Sequence, residues 1–243
     1  MTRLYLIRHG QAHSNVRPFG VVAGMRGDKG LTLLGLTQAE HLRDRLLATG
    51  EIKAEVLISS TLPRARQTAE IIAPALGLPI NFDDEVQEQS AGDFDGMPWD
   101  EIESRIPDSR QEPFKPFGPN GENWGQFVMR VATALNRILH EYEGKTIVIV
   151  CHGGVIDASF LVFFGMNTLS PPATTFYTRN TSITLWEKRE VEGSPLRWRL
   201  AGYNDDLHTR DIGASERIRW TRFAEPLAPA QEAPAMPLPT EEA

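Results

Sequence analysis

The chain has 243 residues, 41% hydrophobic, 23% charged and 8% aromatic, which are the proportions of an ordinary folded domain and not of a collagenous, disordered or membrane-embedded chain. No apolar run approaches the roughly 20 residues that a membrane-spanning helix needs. Thirty-two acidic against 25 basic side chains give a formal net charge of -7, so a broad electrostatic surface for nucleic acid or an anionic membrane is not expected. An anionic ligand has to be drawn by a local positive site.

Leu4 to Ile7 is a short apolar run ending in Arg8-His9-Gly10, the pattern of a buried strand that runs into a glycine turn. This stretch is too short for a signal peptide, and a cytoplasmic setting is expected. The single cysteine, Cys151, cannot form an intramolecular disulfide and reads as a small buried thiol. Thr32 is placed to cap a helix carrying Leu33, Leu36, Ala39, Leu42, Leu46 and Leu47, with Gly50 as its stop. Val56 to Ile58 is a second buried strand. Pro63 suits the first turn of a helix running through Ala65, Ala69 and Ile72 to Gly77.

From Pro79 to Gly121 the periodicity fades and prolines multiply, which reads as loop with short helices and places a lid or substrate-selecting insertion at about 83–121. An amphipathic helix follows, with Trp124, Phe127, Val128, Val131, Leu135, Ile138, Leu139 and Tyr142 on one face. Thr146 to Val150 is a third buried strand and ends in Cys151-His152-Gly153-Gly154, ahead of an apolar helix to about Phe164. Ser182 to Trp186 and Leu196 to Leu200 are further strands. The alternation predicts an α/β fold with a largely parallel central sheet and helices on both faces. A single catalytic domain is expected over 1–223. Residues 224–243 hold five prolines, four acids and no base, as in an extended disordered tail without a core of its own.

Two of the three buried strands end in His-Gly, at His9 and His152. In an open parallel sheet ligands bind outside the carboxyl ends of the strands. Adjacent strands lie roughly 4.8 Å apart, so neighbouring strands would turn both imidazoles toward one small site. The third buried strand leads through Ser59-Ser60-Thr61 into a helix whose opening turn holds Arg64 and Arg66. Cations there oppose the helix dipole at about 0.3–1 kcal/mol each, a conflict that a bound anion or a nearby carboxylate would resolve. Arg8, His9, Arg64 and His152 can therefore gather around one phosphate-sized crevice, with amides at the helix after Gly154 as further anion donors. Arginine forks two phosphate oxygens in a fixed geometry. This set fits phosphoryl transfer through a histidine, a carboxylic acid protonating the leaving oxygen and then activating water.

Leu6-Ile7-Arg8-His9-Gly10-Gln11 with Asn15 resembles the opening signature of the histidine phosphatase superfamily. The likeness continues through Asp28, Leu31-Thr32, Gly35, Gln38-Ala39, Ser59-Ser60, Arg64-Ala65, Thr68-Ala69, Gly121-Glu122 and Val150-Cys151-His152-Gly153-Gly154, in the family's order. The resemblance implies that His9 is the phosphorylated nucleophile, that Arg8, Arg64 and His152 complete the phosphate pocket, and that Asn15 and the Gly153 amide help bind the phosphoryl group. In the phosphoglycerate-mutase-like branch the acid is a glutamate ahead of a Gly-x-x-x-Gly segment, which is Glu88 here. The other branch places Asp after the second histidine, where this chain has Gly153.

Arg66, two residues from Arg64, faces elsewhere on its helix and reads as a surface or salt-bridge residue. Gln11 and Glu122 are candidates for the substrate region, and Glu122 is equally a favourable acid at a helix start. His9 and His13 lack the intervening glutamate of a metalloprotease helix, so no metal is expected, and the chemistry requires no organic cofactor. Three functions share the pocket: a phosphomonoesterase acting on a small phosphorylated metabolite, a 2,3-bisphosphoglycerate-dependent phosphoglycerate mutase, and a weakly active regulatory protein that captures a phosphorylated ligand. The segment from Gly96 to Gly121 scatters Arg105, Arg110 and Lys115 and lacks the paired arginines with flanking prolines that such mutases resemble one another in having, which favours hydrolysis. The partner is then a small-molecule phosphomonoester, with no nucleic acid or membrane; a homo-oligomer is possible.

Overall fold

A computed structural model describes residues 1–16, 20–166, 171, 172, 174, 176–191 and 194–212. The expected tail and the expected domain end at residue 223 lie outside these residues. The strands are β1 (Thr2–Arg8), β2 (Val56–Ser60), β3 (Ile80–Asp83), β4 (Thr146–Cys151), β5 (Ile183–Val191) and β6 (Ser194–Asp205). They form one sheet in the order β3-β2-β4-β1-β5-β6. The first four are parallel, while β5 pairs antiparallel to both β1 and β6.

Strand side chains alternate between faces. Leu4, Leu6, Ile147 and Ile149 therefore enter one core, and Ile7, Leu57, Val148 and Val150 the other. Helices α1 (Leu33–Thr49) and α2 (Pro63–Leu76) close the second core with Leu42, Leu46, Ala65, Ala69 and Ile72. A short helix, α3 (Trp99–Ile102), lies in the 83–121 segment. The longer α4 (Trp124–Glu141) and α5 (Gly153–Phe164) close the first core with Phe127, Val131, Leu135, Ile138, Ile156 and Phe160. Each such side chain, once fully buried, contributes about 1.5–3 kcal/mol.

The helix ends follow the sequence signals. Thr32 Oγ1 accepts from Gly35 N at 3.0 Å, Pro63 opens α2, and Gly50 closes α1 in the left-handed conformation at φ 56°. Two expectations are corrected on α1: Leu33 and Leu47 are 84% and 60% exposed. The buried stripe instead takes in Gly35 and Gln38. A third correction is β3, which lies where the Pro79–Gly121 segment reads as loop. It has four residues on the sheet edge, with Asn81 and Asp83 interrupting any apolar run, and its pairing with β2 is set by tertiary context. β5 and β6 also extend beyond the expected strands. Glu187 of β5 gathers Arg3, Arg189 and Arg199, a charge cluster that hydropathy does not report.

Candidate active site

The register of the sheet sets the site. Arg8 pairs with Cys151, and His9 N donates to Cys151 O at 3.0 Å, so the residues that follow on the two strands, His9 and His152, emerge side by side. Their ring centroids lie 5.1 Å apart and both residues are buried. At the end of β2, adjacent to β4, the Ser60 hydroxyl lies 2.8 Å from His152 Nε2. Arg64, in the first turn of α2, donates from Nε to His9 Nε2 at 3.1 Å. Because a guanidinium only donates, Nε2 carries the lone pair and the proton sits on Nδ1, which faces Gly10 O at 2.7 Å. Burial, and then the Arg64 and Arg8 guanidiniums, hold the His9 pKa well below its usual range. Burial and the neighbouring cations, Arg64 foremost, do the same for His152. Both rings are neutral at pH 7, and His152 Nδ1 is buried with no protein partner, a polar atom of the kind a ligand satisfies.

The anomalous arginine at the start of α2 is explained by Asp28. Its Oδ2 accepts from Arg64 Nη1 at 2.8 Å and from Arg64 N at 3.2 Å, and both side chains are nearly inaccessible. One carboxylate thus caps the helix and orients the guanidinium. Arg66 stays outside, paired with Glu70 one turn on. Gly10 is required here because a Cβ would sit 2.5 Å from Gly35 O, in the backbone of α1.

Glu88 reaches the same place from the 83–121 segment. Its Oε2 accepts from Gly154 N at 3.1 Å and its Oε1 from Gln89 N at 3.0 Å, at the opening of α5. A Cβ on Gly154 would stand 2.2 Å from Oε1, so the second glycine after His152 is what admits this carboxyl. Glu122, a candidate for the substrate region and equally a helix-start acid, is held by an arginine. Arg130 of α4 grips both of its oxygens at 2.7 and 2.8 Å, and the rest of that guanidinium donates to the carbonyls of Glu85, Gln87 and Glu88. The pair is a clamp on the Glu88 loop.

Gln11 accepts from the Thr32 hydroxyl through Oε1 at 2.8 Å, tying the loop after β1 to α1. Asn15 Oδ1 accepts from Ala12 N at 3.0 Å. These contacts are local, and neither is made to one of the two histidines or two arginines. Gly153 opens α5 beside Arg8, with its Cβ position 3.7 Å from Arg8 Nε.

Sequence reasoning passed over the segment before β5. Arg8 donates to Thr178 O, Asn180 Nδ2 donates to His9 O at 2.9 Å, and Thr181 N donates to Arg8 O at 2.9 Å. Thr181 adopts φ 55°, an unfavourable conformation for a β-branched residue. No motif marks these residues, because their amides and carbonyls do the holding. Cys151 is buried, and burial pushes its thiol pKa up, so it is inert packing. Among the described residues no group of three or more His, Cys, Asp or Glu could hold a metal ion, and no helix is long and apolar enough to cross a membrane.

Comparison with known proteins defines the class. Residues 4–206 match the model of the histidine phosphatase superfamily (branch 1). The uncharacterized phosphatase PhoE of Bacillus subtilis is 28% identical over 208 residues, 86% of this chain and 97% of that protein. A 2,3-bisphosphoglycerate-dependent phosphoglycerate mutase of Methylobacterium is 29% identical, over 77% of this chain and 96% of its own length. Among solved structures, a mycobacterial glucosyl-3-phosphoglycerate phosphatase complexed with VO3 superposes with a TM-score of 0.66 at 27% identity, covering 83% of this chain and 98% of that one. The chain belongs to the histidine phosphatase superfamily, branch 1.

Proposed function

We propose that this protein hydrolyses phosphomonoesters of small metabolites through a phosphohistidine at His9. The observation that carries the reading is the neutral His9 ring, whose Nε2 lone pair faces Arg64 Nε at 3.1 Å while Gly10 O holds Nδ1–H. In the first step Nε2 attacks phosphorus and the bond from phosphorus to the leaving oxygen breaks. Glu88 delivers a proton to that oxygen, and the carboxylate left behind is received by the Gly154 and Gln89 amides. Arg8 and Arg64 balance charge on the equatorial oxygens, and the neutral His152 ring, Asn15 and the Gly153 amide supply hydrogen bonds to them. In the second step Glu88 takes a proton from water, the resulting oxygen bonds to phosphorus, and the bond from Nε2 to phosphorus breaks to release inorganic phosphate. The steps as written use side chains, backbone amides and water, and call for no metal or organic cofactor.

Hydrolysis is favoured over mutase chemistry by what the basic residues of the 83–121 segment do. Arg105 lies 4.6 Å over the Phe94 ring and Lys115 pairs with Glu112, so neither belongs to a paired-arginine clamp for a phosphoglycerate carboxylate. The same reading makes the segment a substrate-selecting insertion and the setting cytoplasmic, with which the lone buried thiol is compatible. The test is a panel of phosphomonoesters that includes both phosphoglycerate isomers, following phosphate release beside isomer interconversion. Phosphate release is expected to dominate, and faster isomerisation would overturn the proposal in favour of a mutase.

A further inference from the structure

A cavity of about 270 Å³ opens beside the phosphate pocket, and none of Arg8, His9, Arg64 or His152 lines it. Two of its lining residues link it to the chemistry: Gln89 follows Glu88, and Asp157 lies one turn beyond Gly153 and Gly154 on α5. Residues three and four apart share a helix face, and Asp157 is within electrostatic reach of Glu88 and Arg8.

Asp157 Oδ1 is buried with no hydrogen-bond partner, and so is Trp124 Nε1, which borders the same cavity. Burial, reinforced by Glu88 and opposed by Arg8, raises the Asp157 pKa to about 8, so the carboxyl is protonated at neutral pH. Tyr203 also senses it. Two residues that line one cavity each carry a buried polar atom without a protein partner, and a ligand seated there can supply the missing hydrogen bonds. Their chemistry restricts that ligand. A neutral carboxyl and an indole N–H are matched by uncharged hydroxyls, which donate and accept; a plain aryl or alkyl body leaves both unsatisfied. Phe117 and Phe176 add aromatic wall, and the cationic side chains of Arg110 and Lys115 lie on exposed residues.

We propose that this cavity is the leaving-group subsite, that it takes the hydroxylated body of a sugar or polyol phosphate, and that Asp157 together with Trp124 determines this preference. The assignment rests on the phosphatase reading, since the phosphoryl end must lie among His9, Arg8, Arg64 and His152 for the body to reach the cavity.

The test uses the full chain with His9→Ala to block turnover, titrated calorimetrically with glucose 6-phosphate and with phenyl phosphate. Glucose 6-phosphate is expected to bind more tightly. Adding Asp157→Leu should cut its advantage about tenfold, and adding Trp124→Phe, which keeps the ring and removes the N–H, should cut it several-fold. The Phe variant keeps the proposal testable should the Leu variant misfold. Preference for phenyl phosphate, or an advantage that neither substitution changes, would overturn the assignment. Release of phosphate by the wild-type protein is measured in parallel. If neither ester is hydrolysed while the binding advantage still depends on these residues, the phosphatase reading fails and the cavity stands only as a recognition site for a hydroxylated phosphate ester; hydrolysis with no such dependence has the reverse meaning.

Discussion

Asp28 touches no reacting atom in the proposed mechanism, yet its removal should be among the most damaging single changes. Its Oδ2 accepts from Arg64 Nη1 and Arg64 N, and its Oδ1 accepts from Gly30 N at 2.8 Å. The Asp28 side chain is 1% exposed and that of Arg64 5%. In Asp28→Ala the guanidinium keeps its charge, loses its counter-ion and remains inside. Removing one partner of such a pair costs about 3–5 kcal/mol, and the misplaced cation at the start of α2 adds about 0.3–1 kcal/mol. Against a domain stability on the order of 5–15 kcal/mol, that is a large share. Asp28→Asn retains the shape and an acceptor oxygen while losing the charge, so its cost should be smaller, about 1–3 kcal/mol. Urea unfolding followed by circular dichroism measures both, and phosphate release by the folded fraction should fall about a hundredfold in the Ala variant because Arg64 is no longer aimed at His9. A loss below about 1 kcal/mol in Asp28→Ala, or undiminished phosphate release, would refute the argument that this carboxylate sets the arginine.

The acid is tested by leaving group. Glu88→Gln should slow an alkyl phosphate about 10²–10⁴-fold and a nitrophenyl phosphate much less, because a good leaving group needs little proton donation; equal losses would assign the acid elsewhere. Arg130→Met should show the same signature at smaller amplitude, lowering kcat on alkyl phosphates with little change in KM, since it frees the carbonyls of Glu85, Gln87 and Glu88 without touching substrate. Arg130→Lys should not restore the rate, as an ammonium cannot fork Glu122 while holding three carbonyls; full rescue by Lys would show that charge alone suffices.

The parts of the fold legible in sequence are those with strong local signals. The runs in β1, β2 and β4 are apolar because they are covered on both faces, and Thr32, Gly50, Pro63 and Gly77 punctuate α1 and α2 where the chain turns. Two His-Gly strand ends place two rings together on the condition that the strands are neighbours, and the parallel β1–β4 register meets it. What escaped is what depends on partners distant in sequence. β3 exists because β2 offers it an edge, and Leu33 is exposed although it is a leucine. Asp28 was visible as a matching residue but not as the carboxylate that resolves the arginine conflict, because 36 residues separate it from Arg64. Glu122 reads as a helix-start acid until Arg130, eight residues on, turns toward it. Thr178, Asn180 and Thr181 hold β1 through backbone groups and one amide, and such bonds leave no compositional trace.

The central claim is that the phosphoryl group passes through His9, and trapping that intermediate tests it most directly. Wild-type protein mixed with a phosphorus-32-labelled phosphomonoester and quenched in alkali within one turnover should retain label that is stable to base, labile to acid and located by mass spectrometry on the peptide containing His9. His9→Ala should retain none and should release no phosphate. Label on a different residue, or phosphate release surviving in His9→Ala, would contradict the account.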